Sequence, residues 1–207
     1  MAFLSKKTHN LRITLNLCTI FCTFVTLFFY FYLSANAGFK PDQIKAAYIY
    51  NLPNFVYWPN EKQANTHFTN NNAFVIKILG SESIARYLSI LTRGETIKGQ
   101  PITVDFITSL EKATDCSILF VDKSYEDKLP SEVLSNLAEH GILTVGESLG
   151  FLKKGGMVGL VPIGKRIMIL INPSMAQKAK LAFSAKLMRV AKVFDPQKMR
   201  AMENNEL

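Results

Sequence analysis

The sequence predicts a single α/β domain, with a mostly parallel central sheet of about six strands that closes with an antiparallel hairpin and is flanked by helices. Three observations predict it. Short runs rich in Val, Ile and Phe alternate with amphipathic stretches of helical period, the pattern of parallel strands joined by crossover helices. Two late apolar runs, Met157–Val161 and Arg166–Ile171, are separated only by Pro162–Lys165, a link so short that it makes them antiparallel neighbours. The 207 residues are 48% apolar, which supports one packed core and excludes a disordered chain.

Residues 1–37 read as an export signal outside the fold. Lys6, Lys7 and Arg12 give a positive start without an acidic residue, an apolar run follows from Ile13 to Leu33, and Ser34-Ala35-Asn36-Ala37 supplies the small residues a signal peptidase reads. Cleavage after Ala37 leaves Gly38 at the new terminus. The run is about 20 residues, a span's length, so the same segment left uncleaved anchors the chain in the inner membrane. In both cases the domain, residues 38–196, is expected in the periplasm, because the positive flank stays in the cytoplasm. Losing three cations lowers the formal charge from +8 to +5. That modest basic excess suits an anionic neighbour, and export excludes nucleic acid as a partner. Cys18 and Cys22 lie in the signal segment, so the mature chain keeps Cys116 alone and has no internal disulfide.

Residues 41–58 are expected as a helix with Ile44, Ala47, Tyr48, Asn51, Leu52 and Phe55 on its apolar face. Pro53 predicts a kink or break near Leu52. Residues 60–72 are Asn-rich and read as a loop. Ala73–Leu79 is a strand; Ser81 then caps a helix whose buried stripe is Ile84, Leu88 and Leu91, stopped at Gly94. Pro101–Ile107 is a strand with Ile102, Val104 and Phe106 on one face, and Ser117–Val121 reads as a strand buried on both faces. Residues 131–140 form a helix closed by Gly141, and Ile142–Val145 is the next strand. After the hairpin, Asn172 and Pro173 open one long final helix, with Ala179, Phe183, Leu187, Val190 and Phe194 buried. Residues 197–207 are expected to be a flexible tail.

Catalytic chemistry is sparsely written. His67 sits in the Asn-rich loop and His140 at a helix C-terminus, where a cation suits the dipole. Neither has a metal-ligand neighbour, and C-x-x-C, H-E-x-x-H and phosphate-binding loops are missing. No catalytic residue, cofactor or metal is expected, and the sequence points to a binding protein rather than an enzyme. Glycines and cations concentrate between Gly146 and Arg166, among them Gly155, Gly156, Lys153, Lys154 and Lys165. They read either as turn chemistry or as an apolar and basic rim for a partner.

Two ordered segments carry a family resemblance. Lys45-Ala46-Ala47-Tyr48-Ile49-Tyr50-Asn51 continues to Phe55-Val56-Tyr57-Trp58-Pro59, and Gly150-Phe151 runs through Gly155-Gly156-Met157 to Ile171-Asn172. Between them lie Ile97-Lys98-Gly99-Gln100-Pro101-Ile102 and Cys116-Ser117-Ile118-Leu119-Phe120. In this order the set resembles the YfiR-like family of exported bacterial proteins. The resemblance implies a periplasmic protein that binds and inhibits the sensor domain of a membrane diguanylate cyclase, lowering cyclic di-GMP and biofilm formation. It also implies a homodimer and, in some relatives, a small ligand or cell-wall material. Paired cysteines of some relatives are not matched here, since Cys116 has no partner. Phe151, Ile163, Lys165, Arg166 and Ile169 are the expected partner-binding residues. The alternative is a small-molecule-binding module with a pocket of Tyr48, Tyr57 and Trp58; a cell-envelope hydrolase is the remaining reading and requires an acid–base pair in a cleft.

Overall fold

The computed structural model describes residues 40–58 and 73–195. The expected export signal at 1–37, the Asn-rich stretch with His67 expected as a loop, and the tail expected at 197–207 lie outside the described residues.

Helix α1 spans Pro41–Asn51, with proline at its first position, where the missing N–H costs nothing. Residues 41–58 were expected as one helix with a kink or break near Leu52, and it is a break: the α-helix stops at Asn51. Leu52–Phe55 tightens into a 3-10 turn around Pro53, and Val56–Tyr57 extends as strand β1. Pro53 has no N–H to continue the ladder, and its ring crowds the carbonyl one turn back. The buried face is also rotated. Lys45, Ala46, Ile49 and Leu52 are buried, while Tyr48 is half-buried and Asn51 exposed. A buried lysine breaks the apolar pattern from which the face was read.

Strand β2 (Phe74–Leu79) leads to helix α2 (Glu82–Leu91), whose N-cap Ser81 accepts the Ile84 N–H at 3.3 Å. Ile84, Ala85 and Leu88 are buried, whereas Leu91 is exposed. Short strand β3 (Thr96–Ile97) turns through Lys98-Gly99, both at positive φ, into β4 (Gln100–Ile107). Ile102 and Val104 are half-buried, but Phe106 is exposed. Strand β5 (Ile118–Val121) is followed by a one-turn helix α3 (Lys123–Glu126), then α4 (Ser131–Glu139), β6 (Leu143–Gly146) and α5 (Leu149–Lys153). β7 (Val158–Ile163) and β8 (Arg166–Ile171) pair antiparallel across Gly164-Lys165, as the short link required.

The single long final helix does not form. Helix α6 covers only Pro173–Lys178; β9 (Ala182–Phe183) pairs with β1; α7 covers Ala185–Val190; β10 (Lys192–Val193) adds to β8. Lys180 adopts φ 57°, and the Leu181 N–H closes on the Ala176 carbonyl at 2.8 Å, a left-handed helix stop. Ser184 then starts afresh by accepting the Leu187 N–H at 3.3 Å. Ala179, Leu187 and Phe194 are buried as expected, but Val190 is 74% exposed.

The main sheet runs in the order β10-β8-β7-β6-β5-β2-β4-β3. It exceeds the expected six strands by two edge strands of two residues each, β3 and β10. From β4 through β7 the neighbours are parallel. Ile118 and Phe120 of β5 pack with α1 and α2 on one face, and Leu119 and Val121 with α4 on the other. Burial on both faces explains why this strand reads as an unbroken apolar run.

Candidate interaction groove

In this strand order the chain passes from β2 to β4 on one side and returns from β4 to β5 on the other, so the carboxyl ends of β2 and β5 flank the crevice where open α/β sheets place ligands. Here the chain's own side chains fill it. Gly80, at φ 91°, lies under the Tyr125 ring so closely that a Cβ would collide with it. Asp122 caps α3 by accepting the Ser124 N–H at 2.9 Å. Lys45, buried on α1, places Nζ 3.0 Å from the Glu147 Oε1 and 3.6 Å from Asp42. The Glu147 N–H donates to the Glu126 carboxylate, and Lys154 ties down the loop by donating to the Glu126 carbonyl at 2.8 Å and the Asp127 carbonyl at 3.0 Å. Burial pushes the Glu147 carboxyl above the usual carboxylate range; Lys45 pulls it back, and Asp122 and Glu126 push it further up. The cluster is an acid–lysine pair with both side chains buried. Among the described residues, no group of three or more His, Cys, Asp or Glu side chains is arranged to hold a metal.

The open surface lies elsewhere. Two adjoining cavities of about 480 and 450 Å³ share Tyr48, Ile169 and Val190. Their floor is the α1-facing side of β8, Ile167 and Ile169, with Leu187 of α7 beside it. One wall is α1 and the 3-10 turn after it, through Tyr48, Leu52 and Phe55; the other is α7, through Lys186 and Val190. Ile163 and Arg166 at the hairpin end and Lys192 of β10 complete the rim. Among the described residues the lining is mostly apolar, with Asn51, three cations and no acidic side chain.

The residues expected to bind a partner separate on this surface. Ile163 (53% exposed), Arg166 and Ile169 all line the groove. Lys165 is exposed in the adjoining turn without lining it. Phe151 does not belong with them. It is 1% exposed, packed in the core under Gly146 and Gly156, where any Cβ would strike its ring. The two glycines that looked like turn chemistry are there because an aromatic ring occupies the space a side chain would need.

The expected aromatic pocket also separates. Tyr48 lines the groove, but Tyr57 is exposed on β1, and Trp58 donates Nε1–H to the Gly141 carbonyl at 3.1 Å and packs edge-on to Phe74. Sequence reasoning missed Lys186 and Val190 as groove residues because it placed them on one long helix. His140 keeps to its helix end, with Nδ1 2.8 Å from the Asn136 carbonyl. Cys116 is a buried free thiol; burial raises its pKa to about 12.

The YfiR/HmsC-like family profile matches residues 42–192, which spans both α1 and the groove-forming β8, α7 and β10. This chain belongs to the YfiR/HmsC-like family. The family is one of periplasmic regulatory proteins, and no helix among the described residues is long and apolar enough to cross a membrane. No curated protein matches the chain. Among solved structures it is similar to an ABC domain in complex with L-Trp from Streptococcus pneumonia, at 13% identity and a TM-score of 0.43, covering 64% of this chain and 58% of that one. It is also similar to a conserved domain protein from Vibrio cholerae O1 biovar El Tor, at 10% identity and a TM-score of 0.42, covering 65% and 58%. Both likenesses are too remote to bear on function, and the alignment spans under two thirds of either relative.

Proposed function

We propose that the protein is a periplasmic inhibitor that binds the sensor domain of a membrane diguanylate cyclase and holds the enzyme inactive, lowering cyclic di-GMP and biofilm formation. The family match over residues 42–192 carries this reading. The groove supports it with a surface of the right character, an apolar centre and a polar rim. The mechanism is stoichiometric: the protein binds the inactive conformation of its partner more tightly than the active one. Shifting a two-state partner from 1:99 to 99:1 takes a differential of about 5.5 kcal/mol.

Export by the N-terminal segment is part of the same reading, whether cleaved after Ala37 or retained as an anchor, as is a homodimer. The test is cellular cyclic di-GMP with the gene deleted and then restored. A rise on deletion that restoration reverses is expected; an unchanged level overturns the inhibitor reading.

A second reading has one observation in its favour. Each cavity, at about 450–480 Å³, falls within the usual range of small-molecule sites and carries Tyr48 in its wall. A small-molecule module would show a thermal shift with a soluble periplasmic ligand and no effect of gene deletion on cyclic di-GMP.

A further inference from the structure

Charge is divided along this chain. From Ser148 to Phe194 there are nine Lys or Arg and no Asp or Glu, whereas from Ala73 to Glu147 there are seven Lys or Arg against eleven Asp or Glu. The groove is built into the basic part, with Arg166, Lys186 and Lys192 on its rim.

The sheet is unfinished at the same place. β8 pairs along its whole length with β7, from Arg166 opposite Ile163 to Ile171 opposite Val158. On its other side β10 pairs with Leu170 and Ile171 alone. Arg166–Ile169 therefore has no strand partner on that side among the described residues. The four consecutive residues Arg166, Ile167, Met168 and Ile169 all line one cavity, so that cavity extends from the α1-facing side of the strand around its open edge. An open edge of this kind is a template for an added strand, in which main-chain hydrogen bonds supply affinity and alternate side chains supply specificity.

We infer that the outer edge of β8 at Arg166–Ile169 receives an extended acidic segment of the partner as an added strand in line with β10, its apolar residues entering the groove and its carboxylates meeting Arg166 and Lys192. The inference rests on the reading of the groove as the partner site. A second copy of this chain is a poor occupant, because edge-to-edge pairing would bring two all-basic regions together. The acidic segment satisfies the charge and the unpaired backbone at once.

The test uses the purified full chain and three fluorescent ten-residue peptides, read by anisotropy. One alternates Val and Glu, one alternates Val and Lys, and one is the Val–Glu peptide with N-methylated amides, which cannot donate to a strand. The Val–Glu peptide should bind at least about tenfold more tightly than either other peptide. Its affinity should fall steeply between low and high salt. Arg166→Glu with Lys192→Glu, folded as judged by circular dichroism, should reverse the preference toward the Val–Lys peptide.

Equal binding of the methylated peptide overturns strand addition, and binding to none of the peptides overturns the inference. Binding instead to phosphatidylglycerol vesicles, removed by the same double variant, would make the surface a lipid-docking one. Binding that requires deletion of residues 197–207 would make the chain's own tail the occupant. A peptide that binds as expected in a protein whose deletion leaves cyclic di-GMP unchanged would uphold the edge and sink the cyclase reading.

Discussion

The carboxyl edge of the sheet and the β8 edge are built on opposite plans. At the first, where α/β folds usually hold ligands, Tyr125 covers Gly80 and a buried Lys45–Glu147 pair locks α1 to the loop after β6. At the second, a half-paired strand borders an apolar trough with cations on its rim. Charge is buried and matched where the fold is closed, and exposed and unmatched where it is open. The first arrangement positions α1; the second leaves α1 and α7 as the walls of a groove among the described residues. Strand order alone points to the closed end of the molecule and not to the groove.

The largest effect expected from breaking this contrast is at Phe151. Phe151→Ala removes a fully buried ring between two close-packed glycines and should cost about 3–5 kcal/mol in denaturant unfolding. Loss of regulation in this variant should follow loss of folded protein. A stable Phe151→Ala that fails only in binding would place the ring on the partner surface after all.

Next comes the closed edge. Lys45→Met leaves Glu147 buried without its cation, a change that costs about 3–5 kcal/mol when neither group can neutralise. Glu147 can neutralise, because burial already raises its pKa and losing Lys45 raises it further. Above that folded-state pKa the variant carries an unpaired buried carboxylate. As pH falls through it, the folded state takes up a proton that the unfolded state does not, so the variant regains stability. Urea midpoints at pH 8 and pH 5.5 should therefore converge toward wild type at the lower pH; a deficit of equal size at both would contradict the burial of Glu147.

The open edge should respond differently. Val190→Asp, at a position 74% exposed, should leave stability within about 0.5 kcal/mol. It should weaken partner binding about tenfold or more in a pull-down with the cyclase sensor domain, by placing a charge at the centre of the apolar trough. The smallest effect is at Cys116, whose thiol is pushed up to about 12 by burial. At pH 8 iodoacetamide should leave Cys116 unmodified in the folded protein and alkylate it in urea, as read by peptide mass mapping; rapid labelling in the folded state would show that the region around Ala113 opens.

Much of the fold was legible because its rules are local. Ile118–Val121 is apolar at every position since both faces are buried, Ser81 is a cap by chemistry, and Pro162–Lys165 leaves room only for a hairpin turn. The C-terminal error is instructive for the same reason. Ala179, Leu187 and Phe194 are all buried, yet they belong to a helix end, a second helix and the residue that follows an edge strand. Spacing alone could not show that Lys180 takes a left-handed turn; Ser184, a cap three residues before Leu187, was the available signal.

The groove was legible in part. Ile163, Arg166 and Ile169 stand in the groove because a hairpin with apolar and basic residues at its end is a surface feature. Phe151 misled because its neighbours are glycines, which mark exposed turns and also mark close packing against a ring. The Lys45–Glu147 pair joins residues about a hundred positions apart, and neither side chain announces its partner in the sequence.

One measurement tests most directly whether the partner is received at the open edge and not at the closed one. Cellular cyclic di-GMP would be compared in strains restored with Val190→Asp or with Lys123→Glu, an exposed position at the carboxyl edge, at export levels matched by immunoblot. The expected result is a level as high as the deletion strain for Val190→Asp and a wild-type level for Lys123→Glu. The reverse pattern, or a wild-type level for both, would contradict the assignment of the groove.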